Sequence, residues 1–441
     1  MNKFLMSAAI AVTAFSAAAE GYQVNTLSAK QIGMGHTGVA LKLKSESMIF
    51  NPAGMAWMDE TLDVSGSVSG IFPTAKVKTA TGEYETDNEA STPLSFNLGF
   101  RVYDNLKVGL SFYTPYGSNI NWTNNWPGAL LNQSVNLKVY TIQPTVAWKI
   151  LPNFSIGAGL MVAWGNVDLN KGLVSPEAMD QVLAAKGLPY RFGETVPASV
   201  NLTGDAHPRF GVNVGAMWDI NSQWTIGASY RSKVMMKVKS GTAKVSYANE
   251  IAEGALESSL GLINSANFSA EMPCAAIYTF GISYRPIERL ILAFDAHLTE
   301  WNAYDQLEFK FTGNASAFNQ TIEKNYKNSW TFHLGGEYKL TERFDVRAGL
   351  MVDTTPVDKN YYNPETPGMT KIEPSVGLSF RPFKGFSIDA AFLYVAGLGA
   401  DNRSCTYYET NLITGEKEAK TFKGDYSLTA ITPSIGVSYS F

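Results

Sequence analysis

The segment "GMGHTG", Gly33 to Gly38, is the first place where residue type and spacing suggest chemistry. It fits GxGxxG, the loop that brings backbone amides against a pyrophosphate. That chemistry needs a strand before the loop and a helix after it, within one βαβ unit. Neither is present, so the glycines read instead as a tight turn in a confined space. Hydrolysis has as little support. The four histidines, His36, His207, His297 and His333, show no HExxH spacing, and no serine has a GxSxG context. No metal-ligand spacing is visible, so neither metal nor cofactor is expected and the chain reads as a non-enzyme. Two cysteines remain, Cys274 and Cys405, placed near the top of a strand and in the last long loop. Export permits them to pair, but two independent thiols fit as well.

The export reading comes from the start of the chain. Lys3 supplies the charge, "FLMSAAIAVTAF" the apolar core, and Ala17, Ala18 and Ala19 the cleavage site. Residues 1–19 are therefore expected to be a signal peptide, with a mature start near Glu20. The full chain of 441 residues has 17% charged and 12% aromatic residues, 38 glycines and a mean hydropathy of −0.07. Charge is low for a soluble chain, where ~25% is usual. Yet no mature segment approaches the ~18 consecutive apolar residues of a spanning helix. A net charge of −4 leaves no basic footprint for nucleic acid.

What must position any site is a run of strands. Six short turns, "VYDNLKVG", "KILPNFSIG", "DINSQWTIG", "YRPIERLILA", "YKLTERFDVRAG" and "FRPFKGFSIDA", each sit between alternating segments. Between these hairpins lie longer polar stretches, at about 72–92, 118–133, 171–206, 249–264, 312–328, 354–370 and 398–428. Alternating long and short connections mark an outer-membrane β-barrel, here of about fourteen antiparallel strands. In lipid only helices or closed barrels pair every backbone group, and helices are excluded. The last strand, "SIGVSYSF", puts Ile435, Val437, Tyr439 and Phe441 on one face. Residues 59–441 are assigned to the barrel and residues 20–58 to a separate segment before it.

Two loops are too apolar for a general porin. "SPEAMDQVLAAKG" has Ser175 as cap, Pro176 at the first helical position and Gly187 as stop. Met179, Val182 and Leu183 then share one helical face. "SNINWTNNWPGALLNQ" brings Trp122, Trp126, Leu130 and Leu131. These faces either pack on one another or offer a greasy landing site at the rim.

Specific segments carry a family likeness. "GYQVNTLSAKQIGMGHTGVA", the "NPA" of Asn51, Pro52 and Ala53, "TPYG" ending at Gly117, "TEWNAYDQL" and "GLMVDTTPV" occur in that order. Together they resemble the FadL/TodX family of outer-membrane transporters for hydrophobic compounds. The resemblance implies a monomeric fourteen-stranded barrel with residues 20–58 folded inside as a hatch, so "IFNPAGMAWM" packs in the lumen. It implies passive uptake, of long-chain fatty acids first. The ligand is caught by loops, held in an apolar luminal pocket and released sideways into membrane lipid. The exit is an inward kink of the third strand at Tyr116 and Gly117, which the NPA element is expected to face. Lys171 aligns with a pocket arginine and Lys324 with a second basic residue, both suited to a carboxylate. Lysine keeps the charge but not the bidentate geometry of arginine. An aromatic-hydrocarbon channel, a general diffusion porin and a barrel hydrolase are the rival readings.

Overall fold

The structure, a computed structural model, describes residues 21–260, 265–414 and 416–441. The expected signal peptide lies outside them. Fourteen antiparallel strands form one closed ring. They are β1 (Leu62–Ser69), β2 (Leu94–Tyr103), β3 (Leu106–Asn121), β4 (Ser134–Leu151), β5 (Phe154–Val174) and β6 (Ala198–Asp219). Next come β7 (Trp224–Arg231, resumed as Val234–Tyr247) and β8 (Ser265–Cys274, resumed as Ile277–Ile287). The ring continues through β9 (Leu290–Thr299), β10 (Ser329–Lys339), β11 (Phe344–Asp353), β12 (Lys371–Phe380), β13 (Phe386–Gly397) and β14 (Lys417–Ser440). Closure is direct: β1 pairs with β14 from Asp63↔Ser440 to Ser69↔Ser434.

The side chains obey the two-residue period of strands. On β14, Ile431, Ile435 and Val437 point outward and are exposed, while Thr432 and Ser434 point inward and are buried. Tyr103, Trp148, Trp218, Phe383 and Phe441 are exposed near the short turns, as an interfacial aromatic girdle requires. The inner face is polar: Arg347 donates to Glu337 at 2.7 Å and to Asp389 at 3.2 Å. Such a closed sheet has no free edge, and its outer face is apolar.

Long connections gather at one end, called upper here, and short turns at the other. Several strands run higher than the sequence suggests. The expected loop 171–206 shrinks to 175–197, because β5 and β6 stay paired up to Val174↔Ala198. Ladder bonds persist above the lipid even where apolar alternation fades. Parts of other expected loops are themselves strands; two of these, Phe72–Lys78 and Ala400–Thr410, pair with upper β14.

Residues 21–58 contribute no strand to the wall and are mostly buried. They form α1 (Ala29–Ile32), α2 (Ser47–Phe50) and a 3-10 turn at Pro52–Trp57. Helices this short do not hold by themselves. The wall holds them: the Asp295 carboxylate accepts the Gly38 and Val39 amides at 2.6 and 3.0 Å. Arg231 donates to the Ile49 carbonyl at 2.6 Å, and Ser283 to that of Ala40 at 2.9 Å. Inward-facing glycines let this segment touch the wall backbone. A Cβ on Gly349 would stand 1.9 Å from the Gly35 nitrogen, and one on Gly377 2.9 Å from the Gly33 Cα. Gly35 itself has φ +62°, in the left-handed region open to glycine. Gly33 and Gly35 of the GxGxxG segment thus serve close approach to strands, while Gly38 makes room for the Phe50 side chain.

Candidate functional site

The wall is interrupted at one place by a proline. β3 pairs with β2 only up to Tyr113↔Ser95. Its register against β4 shifts between Tyr113 and Tyr116, where Pro115 has no N–H to donate. Above this point β3 leaves β2, and the N-terminal segment takes the vacated position. The Gly117 amide donates to the Tyr22 carbonyl at 2.9 Å, and the Val24 amide to the Pro115 carbonyl at 2.9 Å. The irregularity thus falls between Tyr113 and Tyr116, next to the Tyr116 and Gly117 of the expected kink.

The expected partner of that kink is different. Asn51, Pro52 and Ala53 do not face it; they pack low on β5, β6 and β7. A Cβ on Gly157 would stand 2.4 Å from the Pro52 carbonyl carbon. Ser155 donates to the Ala53 carbonyl at 2.9 Å, and Asn51 to that of Ala216 at 3.0 Å. The reason is steric: those strands offer glycines against which a proline backbone can lie. Tyr22 to Val24 fill the place expected of Asn51 to Ala53.

A passage of about 420 Å³ opens at the break. Its lining runs from inward-facing Asp353, Lys371 and Glu373, past Gln23 and Val24, to outward-facing Leu94 and Tyr140. Above and beside it lies an apolar cavity of about 90 Å³. Val135, Leu169, Leu202, Met236, Val238, Phe268, Phe309 and Tyr304 line it, with Tyr22 as part of its floor. Ser118, Leu137, Lys138 and Thr366 line both spaces. A larger hollow, about 540 Å³, lies at the lower end among Lys30, Lys42, Asp219, Arg285 and Glu337. Those charges suit water and not a hydrophobe.

Tyr22 closes the cavity against the passage. Its ring meets Trp301 edge-on at 4.8 Å and Tyr304 at 5.7 Å, and its hydroxyl donates to the Pro273 carbonyl. Burial, with Tyr304 and Cys274 nearby, pushes that hydroxyl well above its usual range, so it stays a donor.

Of the two lysines expected near the pocket, Lys324 is buried and Lys171 half-buried. Lys324, fully excluded from solvent, pairs with the Glu365 carboxylate, and Glu365 lines the cavity. Lys171 lies above the lipid band, where Asp168, Asn170 and Asn201 bond one another on the outer face. Its ammonium donates to Gln320 Oε1 at 2.8 Å. Burial lowers its pKa to about 8, with Glu365 opposing and Lys324 adding to the shift.

The loop residues are placed otherwise than as an open landing site. Trp122 and Trp126 stack at 4.7 Å and are buried. Their indole N–H groups donate inward, to the Pro364 and Asn132 carbonyls, each at 2.8 Å. Leu131 is buried with them, and Leu130 packs near Gly172. The loop helix α3 (Pro176–Ala185) starts at Ser175 and has Gly187 at φ +72° just beyond its end. Met179 and Leu183 pack with Ala252, Ala255 and Leu256 of a second helix, α4 (Glu250–Leu260), and Val182 is buried with them; none lines the cavity. Their apolar faces cover one another, which hides them from a ligand arriving outside.

Tyr22, Phe268, Phe309 and Glu365 were not among the sequence candidates. Phe268 and Phe309 carry a weak signal, as aromatics in upper strands where both neighbours are polar. Glu365 carries none, since its partner is 41 positions away. Both cysteines are buried and free. Cys274 sits at the mid-strand break of β8, lower than expected, and Cys405 in the Ala400–Thr410 hairpin.

Comparison with known proteins agrees with this architecture. The chain is 21% identical over 422 residues to the long-chain fatty acid transport protein of Escherichia coli O6:H1, covering 90% of this chain and 91% of that one. It is 22% identical to outer membrane protein P1 of Haemophilus influenzae, over 90% of each chain. The solved Pseudomonas aeruginosa FadL homologue superimposes with a TM-score of 0.79 at 21% identity, covering 96% and 100%. The Pseudomonas putida toluene transporter TodX gives 0.67 at 14% identity, covering 96% and 99%. A family model described as outer membrane protein transport protein (OMPP1/FadL/TodX) matches residues 10–441. The chain therefore belongs to the OMPP1/FadL/TodX family of outer-membrane transporters of hydrophobic compounds, and it is not an enzyme.

Proposed function

We propose that this transporter carries hydrophobic amphiphiles passively into the outer membrane, long-chain fatty acids first, acting as a monomer within membrane lipid. One observation carries the reading: an apolar cavity and a passage through the wall share Ser118, Leu137, Lys138 and Thr366. The amphiphile enters where the loops part, at the Trp122–Trp126 stack with Leu130 and Leu131, beside the helix pair of Met179, Val182 and Leu183. Its chain occupies the cavity, and its carboxylate meets Lys324 and Lys171. Residues 21–58 are the hatch. Movement of Tyr22 to Val24 joins cavity to passage, and the ligand leaves between β2 and β3, beside Tyr116 and Gly117. Asn51, Pro52 and Ala53 anchor the hatch and do not gate it.

A second reading, a neutral aromatic hydrocarbon, is favoured by the Lys324–Glu365 pair, which leaves Lys324 already compensated. Uptake separates the two. Cells with this protein as sole uptake route should accumulate a radiolabelled long-chain fatty acid above a barrel-free control. Accumulation of labelled toluene without the acid would replace the first reading by the second.

A further inference from the structure

Residues 364–368 form the partition between the cavity and the passage together with Tyr22. Glu365 and Thr366 face the cavity, and Thr366, Pro367 and Gly368 face the passage. Besides local bonds to Asn363, three ties among the described residues join this segment to other elements: the Pro364 carbonyl accepts from Trp122 at 2.8 Å, the Thr366 hydroxyl meets that of Tyr326 at 2.9 Å, and Glu365 pairs with Lys324. Two ties are neutral hydrogen bonds. The third joins two ions in a dry place, where each ion requires the other.

We propose that Glu365 is a resident carboxylate that holds the partition shut, and that the carboxylate of an incoming amphiphile takes its place on Lys324. This rests on the fatty-acid reading above and adds its gate. The exchange replaces one carboxylate by another, so Lys324 is never left unpaired. Glu365 has a nearby destination, because Lys171 has the neutral Gln320 as its hydrogen-bond partner and lies within electrostatic reach of Glu365. Among the described residues, buried Lys324 and half-buried Lys171 share the Glu365 carboxylate, so a second anion completes the balance. Once Glu365 leaves, two neutral bonds hold Thr366 to Gly368, and the segment can swing away from the passage. A neutral ligand fills the cavity without displacing Glu365, so it binds but does not open the partition. Glu365 therefore discriminates in favour of carboxylates at the step of passage, while competing with them at the step of binding.

The test uses full-length protein in detergent and in lipid vesicles, with a fluorescent long-chain fatty acid and its methyl ester. Glu365→Gln keeps the shape and removes the competing charge. Its affinity for the acid should rise about tenfold, the scale of one charge-assisted bond. Affinity for the ester should stay within about twofold. Glu365→Ala should shift the acid in the same direction, with strand content checked by circular dichroism. In wild-type vesicles the acid should pass and the bound ester should not. Equal acid affinity in wild type and both variants overturns the exchange and leaves fatty-acid uptake standing. Passage of the ester as fast as the acid also overturns the exchange. Failure of wild type and variants alike to bind the acid overturns the substrate reading, and the exchange with it.

Discussion

The amide of Gly117, on the third wall strand, donates to the carbonyl of Tyr22, the second residue of the described chain, at 2.9 Å. A strand of the wall and the start of the hatch are thus bonded as if neighbours in one ladder. The arrangement exists because Pro115 ends regular pairing between β2 and β3, leaving backbone groups at membrane depth without a partner. In lipid such groups need a protein partner. The N-terminal segment supplies one.

Removing residues 20–26 should therefore open the wall without unmaking it. The other ladders do not involve these residues. Folded, heat-stable barrel should accumulate in the outer-membrane fraction. Single-channel conductance in planar bilayers should exceed that of wild type, since Gln23 and Val24 no longer fill the passage. Unchanged conductance would show that these residues do not close it.

The inward glycines give a second test. Gly349→Leu would drive a side chain into the Gly35 backbone, while the outward face of β11 is untouched. Overpacking of this kind costs ~1–3 kcal/mol or more, and the hatch is the part free to yield. The barrel should assemble, residues 21–58 should become sensitive to an added protease, and conductance should rise. Protection equal to wild type would mean that the hatch does not rest on this glycine.

How these contacts relate to the sequence differs from one to the next. Alternation with long and short connections is local, so strand number, closure and the face of Ile435 and Val437 were readable. The helix from Pro176 was readable for the same reason: cap, proline and glycine sit within one short segment. The position of Asn51 to Ala53 was not, because it depends on which strands turn glycines inward at that height. Nor was the fate of Trp122, Trp126, Met179 and Leu183. An apolar loop face has the same composition whether it awaits a ligand or covers another loop. Glu365 and Lys324 meet only once the ring has closed, and no spacing announces them.

The thiol of Cys405 should be inert on intact cells, contrary to what its place in a long extracellular loop suggests. Burial pushes its pKa up to about 12. At pH 8 the thiolate fraction is then ~10⁻⁴, and labelling should be on the order of a thousandfold slower than for a free cysteine. An impermeant maleimide should react after unfolding in denaturant and hardly before. Rapid labelling of native cells would place the hairpin open to solvent.

Lys171 gives the transporter a pH dependence whose sign can be worked out. Its pKa is lowered to about 8 from a usual 10.5, first by burial and then by the charge of Lys324. Below pH 8 it is charged in both folded and unfolded protein, and the cost of burying that charge is fully present. Between about 8 and 10.5 the unfolded chain binds a proton that the folded one has released. Stability therefore rises with pH across this window. Binding moves the other way. A carboxylate ligand gains from the Lys171 charge at pH 7 and loses that gain as pH rises through 8. Affinity for a long-chain fatty acid should fall by up to about tenfold per pH unit above 8, the limit for release of one proton. Its methyl ester should bind equally at all these values. Lys171→Met should abolish the fall, with weaker acid binding at pH 7 and a flat profile above it. A fall of the same steepness in Lys171→Met would assign the titration to another group and remove Lys171 from the headgroup site.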